Sequence, residues 1–420
     1  MKVGFLGLGN LGCVVATAMA YKGHDVLGYD IDPKKMIKGP RPLQEAGPEG
    51  TGNFDDWYIN EDRLQFAENL QQVADHSDII FVCVATPHGK EYEGTMIAPK
   101  QTADFYYGYL ENAIRDLAQV ITKDTVIAVI STVLPGTMKK HVKELLNPHM
   151  KLAYSPATPA MGTSFSDFLN QEFILIGVDD VEAAKTVQTF YETICDAPCR
   201  MMSVESAELT KVVYNTYITQ KICYAQTIME MAYKIPEVNV DDVLGTIQIA
   251  NKRLISKAYL NGGMHDSGAC HPRDLIALSH LSKELDLSYD WFGRMVRCRE
   301  NQMEFIAGIV ADEYDEMFEG EWFGPEIVIC GYTFKKESNI TTGSSALLCS
   351  YILSNDWGYP VKLYDPKLDG DFDCTKTTVF LIGMNHDNIP NLPFPEGSVI
   401  VDPFRYIPNR EGLKVIRIGE

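Results

Sequence analysis

No run of about 18 apolar residues, the least that spans a bilayer as a helix, occurs in the 420-residue chain, so no membrane span is expected. Basic charge is scarce: 37 Lys and Arg stand against 57 Asp and Glu, a net charge of −20. Such a chain is a poor non-specific binder of nucleic acid or anionic lipid, and an anionic substrate would need a local basic pocket. The opening MKVGFLGLGNLG breaks its apolar run with glycines at once, unlike a secretory leader. The ten cysteines are scattered, several inside apolar runs, so reduced thiols in the cytoplasm are expected rather than a disulfide framework. Cys195 and Cys199 are close in sequence, but no second Cys/His pair completes a zinc site, and no metal is expected. Low-complexity segments and short tandem repeats are absent as well.

The composition that remains is 45% hydrophobic and 22% charged, ordinary for a folded chain long enough to bury more than one core. Short apolar runs alternate with helical spacing over the first 200 residues. MKVGFLGL, HDVLGYD, DIIFVCV, TVIAVIST, KLAYSPA and EFILIGV read as strands, which predicts an α/β unit with a parallel sheet covered by helices. From Val204 to about Lys234 the text holds neither Gly nor Pro, which predicts one helix of roughly 30 residues. More helical text follows to about residue 317. PEIVICGYTF, SALLCSYILSNDW and YPVKLYDP then restart a strand–turn–helix–strand plan that ends in Asp365. The expectation is two Rossmann-like parallel-sheet domains, 1–202 and 318–420, joined by a central helical region, 203–317.

Gly7-Leu8-Gly9-Asn10-Leu11-Gly12 follows a strand and opens a helix. Its glycines suit a tight turn and close approach to a pyrophosphate at the helix N-terminus. Asp30, at the end of the second strand, suits ribose hydroxyls and disfavours a 2′-phosphate, so NAD is expected over NADP. Val82-Cys83-Val84-Ala85-Thr86-Pro87 and Ser131-Thr132-Val133-Leu134-Pro135-Gly136-Thr137 end two further strands. Each reads either as a polar loop with a proline turn or as lining of the ligand crevice. Lys211 and Asn215, four apart on the long helix, are either solvated or hold and polarise a substrate oxygen. Cys270, with His271 and Arg273 beside it just before helical text, is either a buried thiol or an activated nucleophile.

Taken together, GLGNLG with Asp30, VCVATP, STVLPGT, AELTKVVYNTY, SGACHPRD, GYTFKK and YDPK resemble, in order along nearly the whole chain, the UDP-glucose/GDP-mannose 6-dehydrogenase family. The resemblance implies an NAD-binding Rossmann domain, a central helical dimerisation region and a C-terminal nucleotide-sugar domain in a homodimer. It also implies oxidation of a nucleotide-diphosphate sugar at its CH2OH to the carboxylate with two NAD+. Cys270 would form the thiohemiacetal and thioester, with Lys211 and Asn215 on the oxyanions and Asp274 and Thr132 on a water or proton. Lys335 would meet the diphosphate. The cofactor set would be Gly7, Gly9, Asn10, Leu11, Gly12, Asp30, Thr86, Pro87, Ser131 and Thr132. Where the family usually carries a Ser/Asn-Pro-Glu segment, Ser155-Pro156-Ala157-Thr158 stands, without the Glu that serves thioester hydrolysis. Thr342 stands in place of a family Arg. For the Arg that would cross a dimer, the nearest cations are Lys252, Arg253 and Lys257, of which Lys257 is expected at the substrate. A two-electron hydroxyacid dehydrogenase also pairs a GxGxxG domain with a Lys-x3-Asn helix, but gives Cys270 no role. A non-catalytic nucleotide-binding protein remains the reading from a different class.

Overall fold

The computed structural model describes residues 1–42, 44–250, 261–264, 268–284, 286, 290–318 and 324–420. The chain divides into two compact units, one of Met1–Pro87 and Asp104–Tyr214, the other of His88–Ala103 and Asn215–Glu420.

The first unit is built on eight strands: β1 (Lys2–Leu6), β2 (Asp25–Tyr29), β3 (Leu64–Phe66), β4 (Ile79–Val82), β5 (Thr125–Val129), β6 (Met150–Tyr154), β7 (Ile174–Val178) and β8 (Cys199–Ser203). They lie in the order β3-β2-β1-β4-β5-β6-β7-β8. Neighbours are parallel except β6 and β7, which meet antiparallel through Ala153–Val178 and Tyr154–Gly177. Parallel strands buried on both faces need near-continuous apolar text, and β4 and β5 have no exposed residue. The helix Asn10–Tyr21 behind β1 is apolar on most sides, as a helix packed between layers must be. Val14, Val15, Ala18 and Met19 join Phe5, Phe81, Phe165 and Phe190 in the main core.

The β1 turn decides where a ligand can approach. Gly7 has φ +90, and a Cβ at Gly12 would sit 1.9 Å from the Gly7 carbonyl oxygen. Helix and strand can pack this closely only without that carbon. Gly12→Ala is therefore expected to cost about 3 kcal/mol or more. A thermal melt checks this, and an unchanged midpoint would show that the turn yields without cost.

The second unit carries β9 (Ile327–Cys330), β10 (Val361–Tyr364), β11 (Val379–Ile382), β12 (Val399–Asp402) and β13 (Lys414–Arg417), in the order β10-β9-β11-β12-β13 and parallel throughout. It repeats the device of the first: Asp30 accepts from Leu8 N–H at 2.7 Å, and Asp365 accepts from Tyr332 and Thr333 N–H at 2.7 and 2.8 Å. In each sheet a buried carboxylate at one strand's carboxyl end thus holds the turn after its neighbour. The helices Cys270–Glu284 and Trp291–Phe318 lie in this unit, with the shorter Val240–Ile249 and Ser345–Tyr351.

The helix Val204–Lys234 runs 31 residues without a break, as its lack of Gly and Pro predicts. Lys211 belongs to its first turns in the first unit, and Asn215 opens its share of the second.

Candidate active site

In the first unit a cleft of about 470 Å³ opens at the carboxyl ends of β1, β2 and β4. Gly7, Gly9 and Asp30 line it on one side, Cys83, Val84 and Ala85 on another, with Ile31, Leu70, Tyr109 and Ala113 as apolar walls. Nothing lies within 4 Å of where a Cβ on Gly9 would be. Asp30 is nearly buried, its carboxylate held by Leu8 N–H and by Asp32 N–H at 2.9 Å, with the Lys35 ammonium at 3.6 Å. A carboxylate accepts about four hydrogen bonds, so acceptor capacity remains for a ribose diol. Beside Gly9 a second hollow of about 280 Å³ gathers Lys34, Lys35 and Arg41 near the start of the helix that Asn10 and Leu11 open. That is the local positive charge an anionic group needs in an acidic chain. An adenosine-sized apolar cleft, a ribose acceptor and a helix start with added cations fit NAD. Its chemistry when bound is to accept a hydride at the nicotinamide ring.

The ends of β4 and β5 are tied together. Ser131 Oγ donates to the Val84 carbonyl at 2.7 Å, and Thr86 Oγ1 donates to the Thr132 carbonyl at 2.7 Å. These bonds fix both loops that the sequence singled out, with Pro87 following directly. Lys211 is 8% exposed, and its charge acts on the Cys83 thiol, which lines the cleft. Burial pushes that thiol up to about 12 and Lys211 draws it back, so Cys83 stays a neutral wall of the cleft.

In the second unit Asn215, Arg273 and Asp274 meet at the first turn of the helix that Cys270 opens. Asp274, one turn on, is fully buried and accepts from Asn215 Nδ2 at 2.7 Å and from Arg273 Nε at 3.0 Å. A second rung joins the same two helices where His271 Nδ1 meets Thr219 Oγ1 at 2.6 Å. Burial works to lower the Arg273 pKa, but Asp274 and a thiolate at Cys270 outweigh it and hold the guanidinium above its usual value.

The turn that holds Thr342 packs against the cysteine loop. A Cβ on Gly343, at φ +80, would stand 2.3 Å from Ala269 N and Gly268 C, so the two backbones touch. Arg299, 3% exposed, donates to the Gly343 carbonyl at 2.9 Å, and burial brings its pKa down to about 10. Lys335 lies partly exposed on the loop after β9 and has no carboxylate partner among the described residues. Lys252, Arg253 and Lys257 lie outside the described residues, as do His265 and Asp266 of the cysteine loop. No group of three or more His, Cys, Asp or Glu side chains suited to a metal occurs among the described residues.

Two carboxylates were not singled out in the sequence. Glu45 is buried and accepts from Gly162 N–H, Ser164 N–H and Ser164 Oγ at 2.9, 2.9 and 3.1 Å, tethering the loop after β6 where Ser155-Pro156-Ala157-Thr158 stands. Burial raises its pKa. Glu208, three residues before Lys211, is the other. Its sequence signals are its place in AELTKVVYNTY and that i,i+3 spacing on a helix face.

Residues 1–195 match the NAD-binding domain of the UDP-glucose/GDP-mannose dehydrogenase family, and residues 205–300 match its central domain. A UDP-glucose 6-dehydrogenase from Rickettsia conorii is 25% identical, the match covering 99% of this chain and 98% of that protein. A GDP-mannose 6-dehydrogenase from Pseudomonas aeruginosa is 26% identical over 88% of this chain and 82% of its own. Among solved structures, a UDP-glucose dehydrogenase from Pyrobaculum islandicum superposes with a TM-score of 0.82 at 23% identity, covering 99% of this chain and 96% of that one. A UDP-D-ManNAc dehydrogenase from Pyrococcus horikoshii gives 0.81 at 22% identity, covering 100% and 99%. These matches to two successive domains, with a cleft that fits NAD, place the chain in the UDP-glucose/GDP-mannose dehydrogenase family of NAD-dependent oxidoreductases acting on nucleotide sugars.

Proposed function

We propose that the protein oxidises the C6 alcohol of a nucleotide-diphosphate sugar to the uronic acid through a covalent thioester on Cys270. One observation carries this reading: Cys270 opens a helix whose next turn holds Arg273 on Asp274, with Asp274 bonded to Asn215. A thiol so placed is set up as a thiolate nucleophile. Going from alcohol to acid removes two hydrides and adds one water oxygen. After the first oxidation the Cys270 sulfur adds to the aldehyde carbon, forming a C–S bond and an oxyanion. The Lys211 ammonium and Asn215 amide stabilise that oxyanion in both halves of the reaction. Loss of the second hydride leaves a thioester, and water then cleaves the C–S bond, releasing the acid and the thiol. Asp274 and Thr132 position the water or take its proton, Lys257 and Lys335 serve the substrate, and Lys335 takes the diphosphate.

The relatives' substrates, UDP-glucose and GDP-mannose, set the range to test. A second reading is favoured by one observation. Ala157 is buried where a family carboxylate would stand, and the segment Ser155–Thr158 has no acid. Without that base, hydrolysis slows and the chain releases an aldehyde or resolves the thioester by another nucleophile. A panel of UDP-, GDP-, CDP- and dTDP-sugars, with NADH followed by absorbance and products by mass spectrometry, separates the two. Two NADH per uronic acid is expected. One NADH per aldehyde, an amide product or a stalled adduct favours the second reading, and no NADH with any sugar overturns both. The exposed side chains of Leu209, Tyr217, Tyr224 and Tyr233 along the long helix support a homodimer, and the free thiols support a cytoplasmic setting.

A further inference from the structure

Glu208 lies wholly buried on the long helix, with no part in the chemistry above. Its two carboxylate oxygens reach the loop after β5: Oε2 accepts from Gly136 N–H at 2.5 Å and Oε1 from Met138 N–H at 2.7 Å. This loop begins with Ser131 and Thr132, tied at the other end to β4 by the bonds to Val84 and from Thr86. Three residues beyond Glu208, Lys211 sends its charge toward Cys83 at the end of that same β4. The loop is therefore held by β4 near Thr132, by the Tyr107 hydroxyl, which accepts from Leu134 N–H at 3.3 Å, and by the helix at Gly136 and Met138.

We propose that Glu208 is a positioning residue for the oxidation, clamping the Gly136–Met138 turn to the helix turn that carries Lys211 and so fixing Thr132 and Lys211 relative to one another. This rests on the roles proposed above for Lys211 and Thr132. The chemistry of the clamp is specific. Here the two N–H donors meet two separate oxygens of one side chain, which a carboxylate supplies and an amide, with one oxygen and one NH2, does not. A glutamine would turn its NH2 toward one of the two N–H groups and lose that bond.

The charge on the clamp varies near neutrality. Burial pushes the Glu208 pKa up to about 7, the N–H bonds of Met138 and Gly136 pull it back, and Glu205 one turn earlier adds repulsion. Of the other charged groups on these elements, Lys211 on the helix and Lys139, Lys140 and His141 after Met138 stand nearest in sequence, and from the neighbouring helix the Tyr107 hydroxyl meets the same loop at Leu134 N–H. His141 is engaged by Glu111 at 2.7 Å. Below about pH 7 the carboxyl gains its proton and gives up one acceptor position, so the clamp is complete only on the alkaline side.

The test compares the full-length chain with Glu208→Gln. Amide hydrogen exchange is read over residues 131–142, NAD+ affinity by calorimetry, and kcat and KM against pH with whichever sugar of the panel is turned over. The wild type is expected to lose kcat on the acid side of about pH 7, following Glu208. The variant is expected to show faster exchange confined to that segment, NAD+ affinity within about three-fold, kcat lower by about ten-fold above neutrality, and no acid limb near pH 7. Retained kcat with the acid limb intact overturns the proposal. So does loss of kcat, NAD+ affinity and exchange protection together throughout the first unit, which is the mark of a merely structural residue. If the wild type turns over no nucleotide sugar, the dehydrogenase reading falls separately. The exchange experiment still decides the clamp, because unchanged exchange at residues 131–142 overturns it.

Discussion

Replacing Cys270 with serine is expected to abolish carboxylate formation, with a loss of about 10³-fold or more in turnover to acid. On the proposed reading Cys270 acts as a thiolate at a helix start beside the Arg273 guanidinium, and neither of these can ionise a serine hydroxyl, whose proton is far less acidic. An oxygen adduct to the aldehyde would also end as an ordinary ester rather than as a thioester built for transfer. The first oxidation makes no bond to sulfur, so the variant should still produce one NADH per aldehyde, held or released. Counting NADH against product by mass spectrometry reads both effects. Uronic acid formed by the serine variant at the wild-type rate would remove sulfur from the mechanism, leaving the fold and the NAD cleft untouched. Arg273→Gln should act in the same direction and more weakly, since the helix terminus remains.

The second large effect is expected at Lys211. Lys211→Met keeps the length and apolar stem of the side chain and deletes its charge. Removing one preorganised donor from a developing oxyanion lowers turnover by about 10²- to 10³-fold. NAD+ affinity should hold, because the dinucleotide cleft is lined by Gly7, Gly9, Asp30 and the end of β4 and does not use the ammonium. Calorimetry with NAD+ beside steady-state kinetics separates the two quantities. A variant that keeps kcat but melts earlier would assign Lys211 to structure, as a buried cation whose loss leaves a partner unpaired.

Much of the fold and of the NAD cleft was legible in the sequence because the signals are local. A glycine turn between strand and helix, an acidic residue ending the next strand, and a Gly- and Pro-free stretch that became Val204–Lys234 each depend on residues a few positions apart. Strand Leu64–Phe66 has only three residues, and Cys199–Ser203 reads Cys-Arg-Met-Met-Ser with no residue fully buried, so neither announced itself by pattern. The antiparallel join of β6 and β7 has no local signature either, since apolar text is the same in either direction.

The sequence by itself determined the chemistry available to this protein: a dinucleotide turn, a thiol beside cations at a helix start, and an ammonium and an amide one helical turn apart. Tertiary structure alone decided which groups hold one another. Asn215 meets Asp274 across 59 residues, Glu208 grips the loop at Gly136 and Met138 across 72 and 70, and Glu45 tethers the loop after β6 across 117 to Gly162 and 119 to Ser164. Helical periodicity is written in neighbouring residues because the backbone repeats every few positions. A hydrogen bond between distant segments depends on how sheets and helices stack, and nothing in the text near either partner records that distance.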